Sequence, residues 1–319
     1  MTISYLTSPA SRADDDRTWS PEHRTQILTA AAAWRRRDPY ADPAGELYRL
    51  WYAACPESFD WHPWWPPVPR ALRAAHAGAR TWTEPIPVVA VGLAGTVVTR
   101  DAQGVPRAHS RGDYLTVLSD SGEDRPGHDP AVGSLVRTLA RGGAHVAEGW
   151  WRTWGGGWRP STATVPDRVS RIYLAPRADR LTGMVRRLTA VLDEAGLPWL
   201  VKAGTDPATL SRADGVVVYL PDEALTGVGA LLVSLIGGLV ADRQPPLTCR
   251  LAPGIAWAHD PGDGDSFGQS RCAVLAAALA EADLEASGAD VLTLAAEAFH
   301  RRSLDPAAPH LRADAEAAS

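Results

Sequence analysis

A regular alternation in the second half of this 319-residue chain restricts its fold more than any other feature. Residues 171–175, 199–203, 215–220 and 247–251 are short β-branched or aromatic runs that read as strands. Residues 178–195 and 221–241 carry apolar side chains every third or fourth position and read as helices, the first ended by Gly196. The order β-α-β-β-α-β is the split-βαβ, ferredoxin-like arrangement, an antiparallel sheet with both helices on one face. Residues two apart on a strand share a face. Ile172, Leu174, Val201, Val216, Val218, Leu220 and Leu251 then point at the helices, and Arg171, Tyr173, Lys202, Tyr219 and Arg250 point away from them.

That second set holds a compositional oddity. Of 32 basic residues only Lys202 is a lysine. An Ala-, Arg-, Gly- and Pro-rich chain suggests GC-rich coding, which replaces surface Lys by Arg, and chance survival of one surface Lys is the plain alternative. The chemistry of the two residues is unequal, however. Arginine stays protonated, whereas burial or nearby cations can bring lysine to neutrality and make it a base or nucleophile. Guanidinium groups beside Lys202 would lower its pKa and could also hold a dianion.

The remaining composition excludes several classes. A net charge of −5 provides no global positive field for nucleic acid or an anionic membrane. Three cysteines at no ligand spacing argue against a disulfide framework and a zinc site, and no cofactor or metal is expected. The polar start, with Asp14, Asp15 and Asp16, lacks a signal peptide's apolar region, and the longest apolar stretch, 230–241, is too short to span a bilayer. A cytoplasmic location is the expectation. Phosphate-loop, H-E-x-x-H and G-x-S-x-G motifs are missing, and Asp260, Asp263 and Asp265 lack the glutamate that completes a calcium loop.

The first half reads as a helical region over 1–83, followed by an α+β domain over 84–319 whose core is 168–284. Ser20 caps a helix over 20–37 with Pro21 at its first position, and a second helix over 43–54 buries Leu47, Leu50 and Trp51. Prolines break Trp61-His62-Pro63-Trp64-Trp65-Pro66-Pro67 before a short helix over 68–77. Strands are expected over 86–99 and 113–118, and a helix over 130–144. The segment 150–160, rich in Trp and Gly, reads either as a mobile aromatic flap or as a connection tucked onto the body. His109 and Arg111, in a loop, are candidate site groups. So is Arg271, on the first turn of a helix opened by the Gly-rich loop after His259.

Certain segments resemble a known family: Arg171-Ile172-Tyr173-Leu174, Trp199-Leu200-Val201-Lys202, Asp214-Gly215-Val216-Val217-Val218-Tyr219, Leu251-Ala252-Pro253-Gly254, Asp260-Pro261-Gly262, Ser266-Phe267-Gly268 and Arg271-Cys272. In this order they resemble the HopA-type effector-like family. Relatives in peptide natural-product gene clusters look like the lyase component of class V lanthipeptide and thioamide-peptide biosynthesis. The resemblance implies phosphate elimination from phosphoserine or phosphothreonine in a leader-core precursor peptide, giving dehydroalanine or dehydrobutyrine. It also implies a separate aminoglycoside-phosphotransferase-like kinase and possible work beside a cyclase. By analogy with phosphothreonine lyases, Lys202 is the expected base. Arg171, Arg250 and Arg271 are the expected phosphate ligands, with Arg111 and Arg177 in reserve. The acid is left open among His109, His259 and Tyr173. The alternative is a non-catalytic binder of leader peptide or phosphopeptide with the same fold.

Overall fold

The computed structural model describes residues 18–54, 58–76, 83–101, 104–109, 111, 114–117, 129–138, 149–155, 158, 166–262, 264–282 and 286–313. The fold is α+β, and it forms two compact units that are not consecutive in sequence: residues 1–52 with 263–319, and residues 53–262. The boundary expected at residue 83 is not the one that packing makes.

The larger unit is organised on a six-stranded antiparallel sheet. Its strands are β7 (Trp150–Gly155), β8 (Val169–Leu174), β9 (Trp199–Gly204), β10 (Val216–Pro221), β11 (Cys249–Ala252) and β12 (Ile255–His259), in the order β11-β12-β8-β10-β9-β7. Strands β8, β9 and β10 take the places the split-βαβ pattern requires, with β10 between the other two. Helices α4 (Leu181–Glu194) and α6 (Leu225–Ile236) pack together, and the wholly buried Ile172, Leu174, Val201, Val216 and Val218 form the apolar sheet face. Burying each such side chain is worth about 1.5–3 kcal/mol, so the apolar alternation fixes which way each strand faces. The helical stretch Asp222–Leu239 is long and apolar enough to cross a membrane by length and composition. Here Val228, Leu232 and Ile236 bury its inner side.

Two expectations fail on this sheet. The strand beside β8 is β12, a strand beyond those expected, so the expected last strand becomes the outer strand β11. The segment expected as a flap or connection is, over Trp150–Gly155, the opposite edge strand β7. Residues 156–157 and 159–160 of that segment lie outside the described residues.

Two three-stranded sheets complete this unit. One contains β1 (Ile86–Pro87), β5 (Tyr114–Val117) and β6 (Leu135–Thr138), and the other β2 (Ala90–Val91), β3 (Val97–Arg100) and β4 (Pro106–His109). Val88, Val97, Tyr114 and Val136 form a shared core. The helix expected over 130–144 is contradicted by β6, whose pairing with β5 and β1 overrides its weak helical periodicity; residues 139–144 lie outside the described residues. Two short helices belong to this unit as well, α3 (Val68–Ala75), which packs against α4, and α5 (Pro207–Ser211), which packs against β9.

The smaller unit is helical. It comprises α1 (Pro21–Trp34), α2 (Pro43–Leu47) running into a wider turn at Tyr48–Tyr52, α7 (Phe267–Glu281) and α8 (Gly288–Arg301). Ser20 caps α1 as expected, and Ser266 with Gln269 forms a reciprocal cap on α7.

A cationic sheet face around one lysine

Val201 and Ala203 are wholly buried on the helix side of β9, which turns Lys202 to the other face. The register then determines its company. Lys202 stands opposite Val217, and Val217 opposite Tyr173, while on its other side Lys202 stands opposite Arg152 of β7. In the next row on this face, Arg171 stands opposite Tyr219. Four of the five residues expected to share a face, Arg171, Tyr173, Lys202 and Tyr219, are therefore grouped on three adjacent strands.

Each cation has a different local environment. The Nε of Arg171 donates to Asp260 Oδ2 at 2.7 Å, and its guanidinium lies 5.2 Å from the Tyr219 ring centre. Arg212, just before β10, holds Asp214 with two hydrogen bonds of 2.8 and 2.7 Å. The Trp150 ring lies 4.2 Å from Lys202 Nζ and 5.6 Å from the Arg212 guanidinium carbon. Among the described residues, neither Lys202 nor Arg152 has a carboxylate within ion-pair distance. Both are half-buried.

This environment changes the lysine. Burial, and then the charges of Arg152, Arg171 and Arg212, push its pKa down to about 8, with Asp214 opposing them. Burial also raises the Tyr173 and Tyr219 phenols, so both keep their protons at neutral pH. The face thus combines an amine that can lose its proton near neutrality, an arginine with no paired carboxylate among the described residues, and two protonated phenols.

The other expected site residues lie elsewhere. Arg250 shares the row of Lys202 but sits on the outer strand, four strand spacings or roughly 19 Å away, paired with Asp242. Its displacement follows from β12, which occupies the place expected for its strand. His259 points to the helix face, where Asp222 lies 4.0 Å from its ring nitrogen, because it is an odd number of residues from Ala256 and Ala258. His109 is in β4 of a separate sheet, not in a loop, and its Nε2 meets Thr99 Oγ1 at 2.9 Å. Arg111 is exposed, 3.5 Å from Asp129, and Arg177 is exposed beside Asp179. Arg271 is buried in the helical unit and donates to the carbonyls of Pro309 at 2.8 Å and Leu311 at 2.6 Å. Its Nη1 donates to Ser270 Oγ at 3.2 Å, so its guanidinium is engaged by the chain's own acceptors away from the lysine face.

Arg152, Trp150, Arg212 and Asp214 were not singled out from the sequence. The alternation that places the first two is one of burial, with Trp151 and Thr153 wholly buried and Trp150, Arg152 and Trp154 only partly so, and the run Trp-Trp-Arg-Thr-Trp does not show it in its residue types.

An antiparallel sheet with helices on one face and a lysine ringed by arginines on the other defines an α+β protein with a cationic sheet face. Residues 147–311, just over half the chain and the whole of this face, match the HopA1 effector protein family, and the chain belongs to it. Two solved structures have the same fold. The effector protein from Pseudomonas syringae pv. tomato strain DC3000 is 16% identical with a TM-score of 0.54, covering 91% of this chain and 98% of that one. The effector protein from Pseudomonas syringae pv. syringae strain 61 is 17% identical with a TM-score of 0.55, covering 93% and 100%. No curated protein matches the chain.

Proposed function

We propose that this protein is a carbon–oxygen lyase that eliminates phosphate from phosphoserine or phosphothreonine in a kinase-modified precursor peptide. The observation that carries the reading is the adjacent pair Lys202 and Arg152, half-buried on one sheet face with no carboxylate partner among the described residues. An anion completes such a pair, and a phosphate monoester brings both the charge and the leaving group.

In the reaction, the neutral Lys202 amine removes the α-proton of the phosphorylated residue. The C–H electron pair forms the Cα–Cβ double bond, the Cβ–O bond breaks, and its electrons leave with phosphate. Arg152 takes the phosphate oxygens, with Arg171 as the next cation on the face. Tyr173, kept protonated by burial, is the acid candidate that remains on this face; His109 and His259 do not share it. Arg250 and Arg271 have no part in this reading.

The test is mass spectrometry of a precursor peptide incubated with kinase and ATP, with and without this protein. The lyase reading expects the phosphopeptide to lose phosphoric acid and yield a dehydro residue. Lys202→Arg keeps the charge but not the basicity, so it should slow turnover by about 10²–10⁴-fold, the usual contribution of a general base, while phosphopeptide accumulates. Full turnover by that variant would rule out Lys202 as the base. Tight phosphopeptide binding with no elimination by the wild-type protein would leave a binding protein instead.

A further inference from the structure

The Trp150 ring lies against Lys202 and Arg212 at once, and Arg212 is clamped by Asp214, which is itself buried. The clamp matters because a lysine has four rotatable bonds, and a half-buried amine with no carboxylate partner among the described residues would otherwise sample many rotamers. We infer that Trp150 is a positioning residue for Lys202, held by the Asp214–Arg212 pair and fixing the amine over the sheet face by a cation–π contact. This rests on the reading of Lys202 as the base.

The contact has a second consequence. A π face favours the ammonium form, so Trp150 works against the arginines that favour the free amine. Among the described residues, the charged groups facing Lys202 are Arg152 of β7, Arg171 of β8, and Arg212 and Asp214 ahead of β10, with the Tyr173 and Tyr219 phenols on the same face. The ring therefore keeps the amine from becoming too weak a base while holding it in place.

A lone lysine makes this directly measurable. The full-length protein labelled with ¹³Cε-lysine gives one lysine signal, that of Lys202, and its shift against pH reports the midpoint without any turnover. Trp150→Leu keeps an apolar wall but removes the π face. Its expected effect is a midpoint lower by about half a pH unit or more, with Trp150→Phe in between, from the usual size of a cation–π contact. Plateau kcat for phosphopeptide should fall about tenfold or more in the leucine variant, with KM little changed, because the amine and not the phosphate site is disturbed. A midpoint that stays put or rises in both variants overturns the inference. A midpoint that falls as expected while the wild type eliminates no phosphate supports the contact and overturns the lyase reading alone.

Discussion

At the scale of single residues, the chemistry concentrates on Lys202. Its candidacy was legible from composition, since it is the only lysine, and from strand alternation, which set it beside Arg171, Tyr173 and Tyr219. Its nearest cation, Arg152, was not legible, because a residue paired across strands is found only once both strands are recognised. On the proposed lyase reading, a pKa near 8 predicts an elimination rate that climbs as pH rises through about 8, where the amine loses its proton. The same shift acts on stability. Below about pH 8 the lysine is charged in both folded and unfolded chains, and its burial among arginines weighs fully against the fold. From about 8 to 10.5 only the unfolded chain keeps the proton, so stability rises with pH across that window. Lys202→Met should therefore be more stable than wild type at neutral pH, the gap narrowing above about pH 8 and closing near 10.5. Urea midpoints of the two proteins across that range would check this, and parallel curves would refute it.

At the scale of elements, α4 and β9 were legible from a clean period, and β8, β10 and α6 from dense apolar or β-branched runs, nearly every residue of β8 and β10 being buried. β12 was hidden because its run is diluted by alanine. Ile255, Ala256, Trp257 and Ala258 are all buried, so nothing alternates, and alanine is a poor strand former. Strand β7 was hidden by its ending, and Gly155 explains the glycine there. A Cβ at Gly155 would lie 2.6–2.7 Å from three ring atoms of Trp199. That ring is wholly buried and its Nε1 donates to Asp193 at 3.2 Å, so it has little room to yield. Gly155→Ala should cost about 1–3 kcal/mol, as overpacking does, and shift β7 from register. Because β7 carries Trp150 and Arg152, elimination should fall along with the urea midpoint. A variant with wild-type values of both would show that the strand tolerates the extra carbon.

At the scale of the whole molecule, the chain folds as two units, the smaller built from two separate stretches of sequence, and Arg271 and Arg152 fall in different units. A helix-opening loop followed by an arginine suggests an anion site at sequence level, and Arg271 was read in that way. Its burial reverses the meaning, because a buried guanidinium needs acceptors, and Arg271 finds them in the carbonyls of Pro309 and Leu311 and in Ser270 Oγ. Arg271 thus ties the end of the described chain to α7, a structural task within the helical unit. Arg152 is the opposite case, half-buried on the sheet face with its charge unmatched by a carboxylate among the described residues. The two arginines should therefore fail differently. Arg271→Leu leaves two carbonyls without their donor, which costs roughly 1–3 kcal/mol for each one that stays buried, and should lower the urea midpoint without changing elimination per folded molecule. Arg152→Leu should raise KM for phosphopeptide and cut kcat by an order of magnitude or more, while the midpoint holds or rises because a repulsion with Lys202 is relieved. Equilibrium unfolding and single-turnover kinetics on both variants separate these outcomes. If Arg271→Leu weakens phosphopeptide saturation while its stability is unchanged, the assignment of Arg271 to structure is wrong.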